Sequence, residues 1–167
     1  MKIIVWNSQD KCVADYHKLI RGCDVLCLLD CGQWTVPVYA LQIQNGLFHW
    51  KDEHEGLSYD IFYCLEKVAF ICRDGLYSGE SVLYSIHSNI GSLVGIRLQD
   101  DFWLFANHES NRSNACHIGE FYLREISDRF RKAAFVADFK EKSYSWAQET
   151  ICLLYTSPSP RDTERSR

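Results

Sequence analysis

Four polar side chains of the kind that bind metal ions and phosphates stand where apolar runs stop. Asn7 follows residues 2–6, Asp30 follows 25–29, His108 follows 102–106 and Asp138 follows 133–137. Taken singly, each has an ordinary reading. Asp and Asn close strands as turn formers, and a lone histidine is more often a satisfied or solvated side chain. Taken together they are two carboxylates, an amide and an imidazole at the ends of four apolar strands. Rigid strands of layered α/β folds aim functional residues from such ends. Hard oxygen donors suit a cation such as Mg²⁺, and a divalent cation suits a phosphate substrate.

The elements that must hold these residues can be read from periodicity. Residues 2–6 form a short apolar strand. Val13, Tyr16 and Ile20 fall at helical spacing within 9–21, with Gly22 placed to end the helix. Residues 24–29 read as a strand buried on both faces. Residues 38–43 alternate without an obvious core side. Residues 59–64 and 67–72 read as a hairpin around Leu65-Glu66, and strands follow at 81–87, 92–98 and 102–107, the last two joined by a turn at 99–101. Residues 113–130 return to helical period, with Ser113 as a cap and Ile118, Phe121 or Tyr122, Ile126 and Phe130 as an apolar stripe. Residues 133–137 are a further buried strand. Many short strands with helices in two places predict an α/β fold, a two-sheet β-sandwich flanked by helices.

Length and composition set the frame. The 167 residues suit one domain, and 47% hydrophobic with 24% charged residues is ordinary for a globular chain, which excludes disorder throughout. A net charge of -4 provides no general attraction to nucleic acid, although a local basic groove is compatible with it. No apolar run approaches the ~20 residues that span a bilayer. The opening apolar run is too short for a signal peptide, so the expected location is intracellular. The eight cysteines show no CxxC pair and no zinc-finger spacing, and read as small buried hydrophobes in preference to metal ligands or disulfides. Residues 156–167 contain no apolar side chain. The expected division is a folded domain over 1–150 and a disordered tail over 151–167, whose sequence resembles translated sequencing-adapter tails.

At this point the ordered set of motifs resembles a family. Residues 4–9, Ile-Val-Trp-Asn-Ser-Gln, look like the opening strand of endonuclease/exonuclease/phosphatase enzymes, which ends in Trp-Asn. Residues 24–32 look like the second strand, 102–108 like the strand that delivers the first catalytic histidine, and 134–140 like the Gly-Asp-Phe-Asn strand. Residues 67–73, Lys-Val-Ala-Phe-Ile-Cys-Arg, and the order of the segments that follow are most similar to the deoxyribonuclease-like B subunits of cytolethal distending toxins. The likeness covers about residues 2–140.

The resemblance implies a deoxyribonuclease-like four-layer sandwich, incomplete at its C-terminus, and Mg²⁺-dependent hydrolysis of a phosphodiester, with DNA as the expected substrate. Asp30 would hold the metal and Asn7 would orient that assembly. Asp138 would position water or phosphate, and His108 would bind the phosphate or protonate the leaving oxygen. Arg73 and Lys140 would contact the substrate phosphate. Three departures from the family pattern accompany it. Asp30 stands where the family has glutamate, Lys140 stands where it has asparagine, and the closing Ser-Asp-His segment with the second histidine is absent. Two further outcomes stay open: a catalytically impaired binding module, or a phosphatase acting on phosphoinositides or other phosphomonoesters.

Overall fold

A computed structural model of the chain describes residues 1–7, 16–29, 31, 36–37, 39–52, 55–64, 68–86, 91–107, 121–126, 129–130 and 132–137. Within them, apolar runs become strands wherever both faces can be covered. The elements in chain order are β1 (Ile3–Asn7), α1 (Tyr16–Arg21), β2 (Val25–Leu29), β3 (Leu41–Gln44), β4 (Leu47–Asp52), β5 (Leu57–Cys64), β6 (Val68–Arg73), β7 (Tyr77–Ile86), β8 (Gly91–Leu98), β9 (Phe102–Asn107) and β10 (Ala133–Ala137).

Among the described residues the strands form two sheets. The first has the order β1-β2-β6-β5-β4-β3 and the second β10-β9-β8-β7. Each is mixed: β1 runs parallel to β2 and β10 parallel to β9, and the other pairings are antiparallel. Strand alternation sorts side chains onto the two faces of each sheet. Val25, Cys27, Leu29, Val68, Phe70 and Cys72 of the first sheet share one buried core with Val94, Ile96, Leu98, Leu104 and Ala106 of the second. The two sheets therefore pack face to face as a sandwich.

Each outer face carries a short helical segment. Leu19 and Ile20 of α1 join Leu26, Leu28, Ala69 and Ile71 on the outside of the first sheet. Gly22 and Cys23 close that helix, their N–H groups bonding to the carbonyls of Leu19 and Ile20 at 3.0 and 3.2 Å. On the second sheet, Phe121, Ile126 and Phe130 pack with Trp103 and Phe105, and the Phe130 ring lies 4.7 Å from Trp103 and 5.2 Å from Phe105. Phe121, Ile126 and Phe130 are the described members of the apolar stripe expected there, Ile118 lying outside the described residues, and Tyr122–Ile126 winds as a π-helical turn.

Several boundaries differ from the sequence reading. The alternating strand expected over 38–43 occupies Leu41–Gln44, all of it exposed at the edge of the first sheet, which explains why neither side looked like a core side. β4 was not expected, because His49, Lys51 and Asp52 interrupt its apolar residues. β7 starts four residues early, at Tyr77. The turn at 99–101 forms as expected, with Asp100 and Asp101 in the left-handed region at φ 59° and 58°, where aspartate is among the better-tolerated residues. The first part of the expected helix over 9–21, residues 113–120 of the second, and the tail over 151–167 lie outside the described residues. None of the described helices is long and apolar enough to cross a membrane.

Cys23, Cys27, Cys31 and Cys72 are free and buried, as expected of small hydrophobes. Burial pushes the thiols of Cys27 and Cys72 well up from their usual range. Unfolded thiols release their protons from about pH 8.5, whereas the folded chain holds them. The resulting stability is fully present below that pH and is lost as pH rises toward the folded values. The urea midpoint is expected to fall between pH 8 and pH 10, and to fall less in a Cys27→Ala/Cys72→Ala chain. Identical pH profiles for the two chains would show that these thiols are not sequestered.

Candidate functional site

The two parallel pairs decide where the candidate residues can go. Parallel neighbours end on the same side of their sheet. Asn7 closes β1 directly beside Leu29, which closes β2 and is followed in sequence by Asp30. In the second sheet Asn107 closes β9 beside Ala137, which closes β10. The next residues in sequence are His108 and Asp138. The four segments thus leave their sheets as two adjacent pairs. β2 and β9 are also in contact across the sandwich. Asp30, His108, Asp138 and Lys140 themselves lie outside the described residues.

Asn7 is half-buried, and alternation puts it on the same face as Ile3, which packs against the intersheet core. Asn107 is more deeply placed, at 4% exposure. An amide at that depth is costly unless it is hydrogen-bonded. Sequence reasoning passed over Asn107 because it read as the last strand residue before His108. Its signal was an amide closing a run that is otherwise wholly apolar.

Arg73 is not brought to this end. β6 runs antiparallel to β2, so Cys72 faces Val25 and Arg73 donates its backbone N–H to the carbonyl of Asp24 at 3.0 Å. Its guanidinium lies 3.7 Å from the Asp24 carboxylate. Val25 and Leu29 are separated by the length of β2, about 13 Å at the usual strand rise. Arg73 thus serves the opposite end of the first sheet from Asn7. The arginines of a shallow pocket on the second sheet, Arg97 and Arg129, are likewise occupied. Arg97 bonds Glu80 and Asp101, and Arg129 lies 3.7 Å from Glu125.

A second group of ligand-type side chains gathers elsewhere. His49, Asp60 and Asp74 offer donor atoms that all lie within 4.8 Å of one another, and could hold a metal ion. His49 of β4 sits directly across from Asp60 of β5, its Nδ1 3.0 Å from Oδ1. Sequence reasoning missed this group because β4 was not expected, and without it no register places His49 opposite Asp60.

Neither a protein-family model nor a curated protein matches the sequence of this chain. The fold is similar to that of a solved structure, the cytolethal distending toxin of Haemophilus ducreyi, with a TM-score of 0.60 at 18% sequence identity. The likeness covers 89% of this chain and 71% of that one. At that identity it establishes a shared fold.

Proposed function

We propose that this chain is a deoxyribonuclease-like phosphodiesterase that uses Mg²⁺ to cleave DNA at the end of the sandwich where β1, β2, β9 and β10 terminate. The observation that carries this reading is the double parallel pairing. Asn7 lies beside the strand that leads to Asp30, and the strand leading to His108 lies beside the strand leading to Asp138. The shared fold with the cytolethal distending toxin structure supports it, as do the motifs at those four strand ends.

Each residue has a task its chemistry permits. Asp30 and Asn7 offer carboxylate and amide oxygens, the donor class that Mg²⁺ prefers. The ion, when bound, would supply neutralisation of charge on the phosphoryl oxygens. His108 is the group able to hold the phosphate or to give a proton to the leaving oxygen. Asp138 would orient the attacking water. Lys140 can contact the substrate phosphate as a point charge. Arg73 is left out of this set by its place at the far end of β2.

Two residue choices favour a second reading, a binding module with reduced catalysis. Asp30 is one methylene shorter than the glutamate of the family pattern, and active-site geometry tolerates little displacement. Lys140 would repel a nearby cation. The discriminating experiment offers the chain supercoiled plasmid, and in parallel phosphoinositides, with Mg²⁺. Nicking without phosphate release is expected. Phosphate release without nicking would assign the fold to phosphatase chemistry, and plasmid binding without turnover would assign it to the binding module.

A further inference from the structure

The group formed by His49, Asp60 and Asp74 is separate from the strand ends used above. Asp60 faces Cys72 across the β5/β6 pairing, and Cys72 in turn faces Val25. The group therefore lies toward the end of the first sheet at which β2 begins, whereas Asn7 and Leu29 mark the end at which β1 and β2 stop. We infer that His49, Asp60 and Asp74 form a binding site for one first-row divalent cation of the Zn²⁺ class, independent of the proposed catalytic end.

Three features of the geometry support this. The first is distance. Three atoms all within 4.8 Å of one another share a point no more than about 2.8 Å from each, against about 2.0–2.2 Å for Zn²⁺ bound to histidine or carboxylate. Closing that gap needs side-chain shifts of at most about 0.6–0.8 Å. The 3.0 Å separation of His49 Nδ1 and Asp60 Oδ1 is already the spacing of two neighbouring ligands on one ion.

The second feature is the donor set. One imidazole with two carboxylates suits Zn²⁺, Co²⁺ or Mn²⁺ better than the all-oxygen shell favoured by Mg²⁺ and Ca²⁺. With His49 neutral, the two carboxylates balance the charge of a divalent ion. Three protein ligands also leave coordination positions for water. His49 Nδ1 and Asp60 Oδ1 lie at hydrogen-bond distance, 3.0 Å.

The third feature is that the ligands come from three rigid places. His49 and Asp60 are fixed by strand register in β4 and β5. Asp74 sits in the turn after β6, where its N–H bonds the Ser58 carbonyl at 2.9 Å and the Leu76 N–H bonds the Arg73 carbonyl at 3.0 Å. Gly75 takes the left-handed conformation, φ 80°, that a turn of this kind requires at its third position. A bound ion would tie the β4–β5 hairpin to the end of β6, and the chain is expected to melt later when it is present.

The test uses Co²⁺ alone as the probe, on the full chain and on the full chain carrying Asp30→Ala, which removes the proposed catalytic ligand. Both are expected to bind one equivalent of Co²⁺ at this site, with the weak d–d absorption of nitrogen and oxygen ligands and a raised melting temperature. Asp74→Asn, an exposed turn position, and His49→Ala are each expected to weaken that binding by about a hundredfold or more, since even outer partners of metal ligands cost about 10–100-fold. Equal affinity in the wild type and Asp74→Asn overturns the inference. So does a strong thiolate charge-transfer band, which would assign the ion to cysteine, or loss of binding in Asp30→Ala. Because the Asp30→Ala chain keeps this site whatever its effect on nicking, failure here and failure of the phosphodiesterase reading are distinguishable.

Discussion

His108→Ala is expected to slow Mg²⁺-dependent nicking of plasmid DNA by about 10²–10⁴-fold, the usual contribution of a positioned acid or base. The reason lies in the strand that precedes it. β9 is buried from Trp103 to Asn107, and its neighbour β10 runs parallel, so Asn107, the residue before His108 in sequence, closes its strand beside Ala137, the residue before Asp138. Removing the imidazole takes away the side chain able to protonate a leaving oxygen at this end, while the strand beneath it is untouched. The variant should therefore keep the wild-type circular dichroism spectrum and melting temperature. Equal nicking by the two chains would remove His108 from the chemistry. Loss of nicking together with loss of fold would show a structural role instead.

Phe70→Ala carries the largest expected effect on stability. Phe70 has no exposed surface and lies in the middle of β6, between Cys27 of β2 and Phe62 of β5. It belongs to the core that joins the two sheets. Truncating such a ring costs about 3–5 kcal/mol, part of it for the cavity left behind. Whole domains are stable by only about 5–15 kcal/mol, so the variant should unfold at far lower urea or not fold at physiological temperature. Equilibrium urea unfolding followed by tryptophan fluorescence measures it. A loss below about 1 kcal/mol, the scale of a surface change, would contradict the face-to-face packing of the sheets.

The parts of the fold legible in the sequence were those that bury both faces. β2, β6 and β9 are nearly unbroken apolar runs, and both outer faces of such strands must be covered, so the sandwich follows from them. The strand-end residues were legible for the same reason: an abrupt change from apolar to polar marks where a buried strand stops. β4 was hidden because His49 and Lys51 alternate with Phe48 and Trp50, and the pattern depends on knowing which face is covered. Trp50 stacks on Tyr59 at 5.3 Å on the outer face, while His49 meets Asp60 on the inner one. A one-residue slip would exchange those faces; the signal that could have found β4 is Asn45-Gly46, the two-residue turn between Gln44 of β3 and Leu47 of β4. Arg73 was assigned by its place in a motif. Its distance from Asn7 depends on the antiparallel direction of β6, which is a property of topology and not of composition.

Phosphodiester cleavage at these strand ends is tested by nicking of supercoiled plasmid by the chain in Mg²⁺, beside the same chain carrying Asp30→Ala. The wild type is expected to convert plasmid to the open circle in Mg²⁺ and to stop when the metal is chelated. Asp30→Ala, folded by circular dichroism, is expected to do so at least about a hundredfold more slowly. A folded wild type that leaves the plasmid supercoiled, or equal nicking by the two chains, would contradict cleavage at these strand ends.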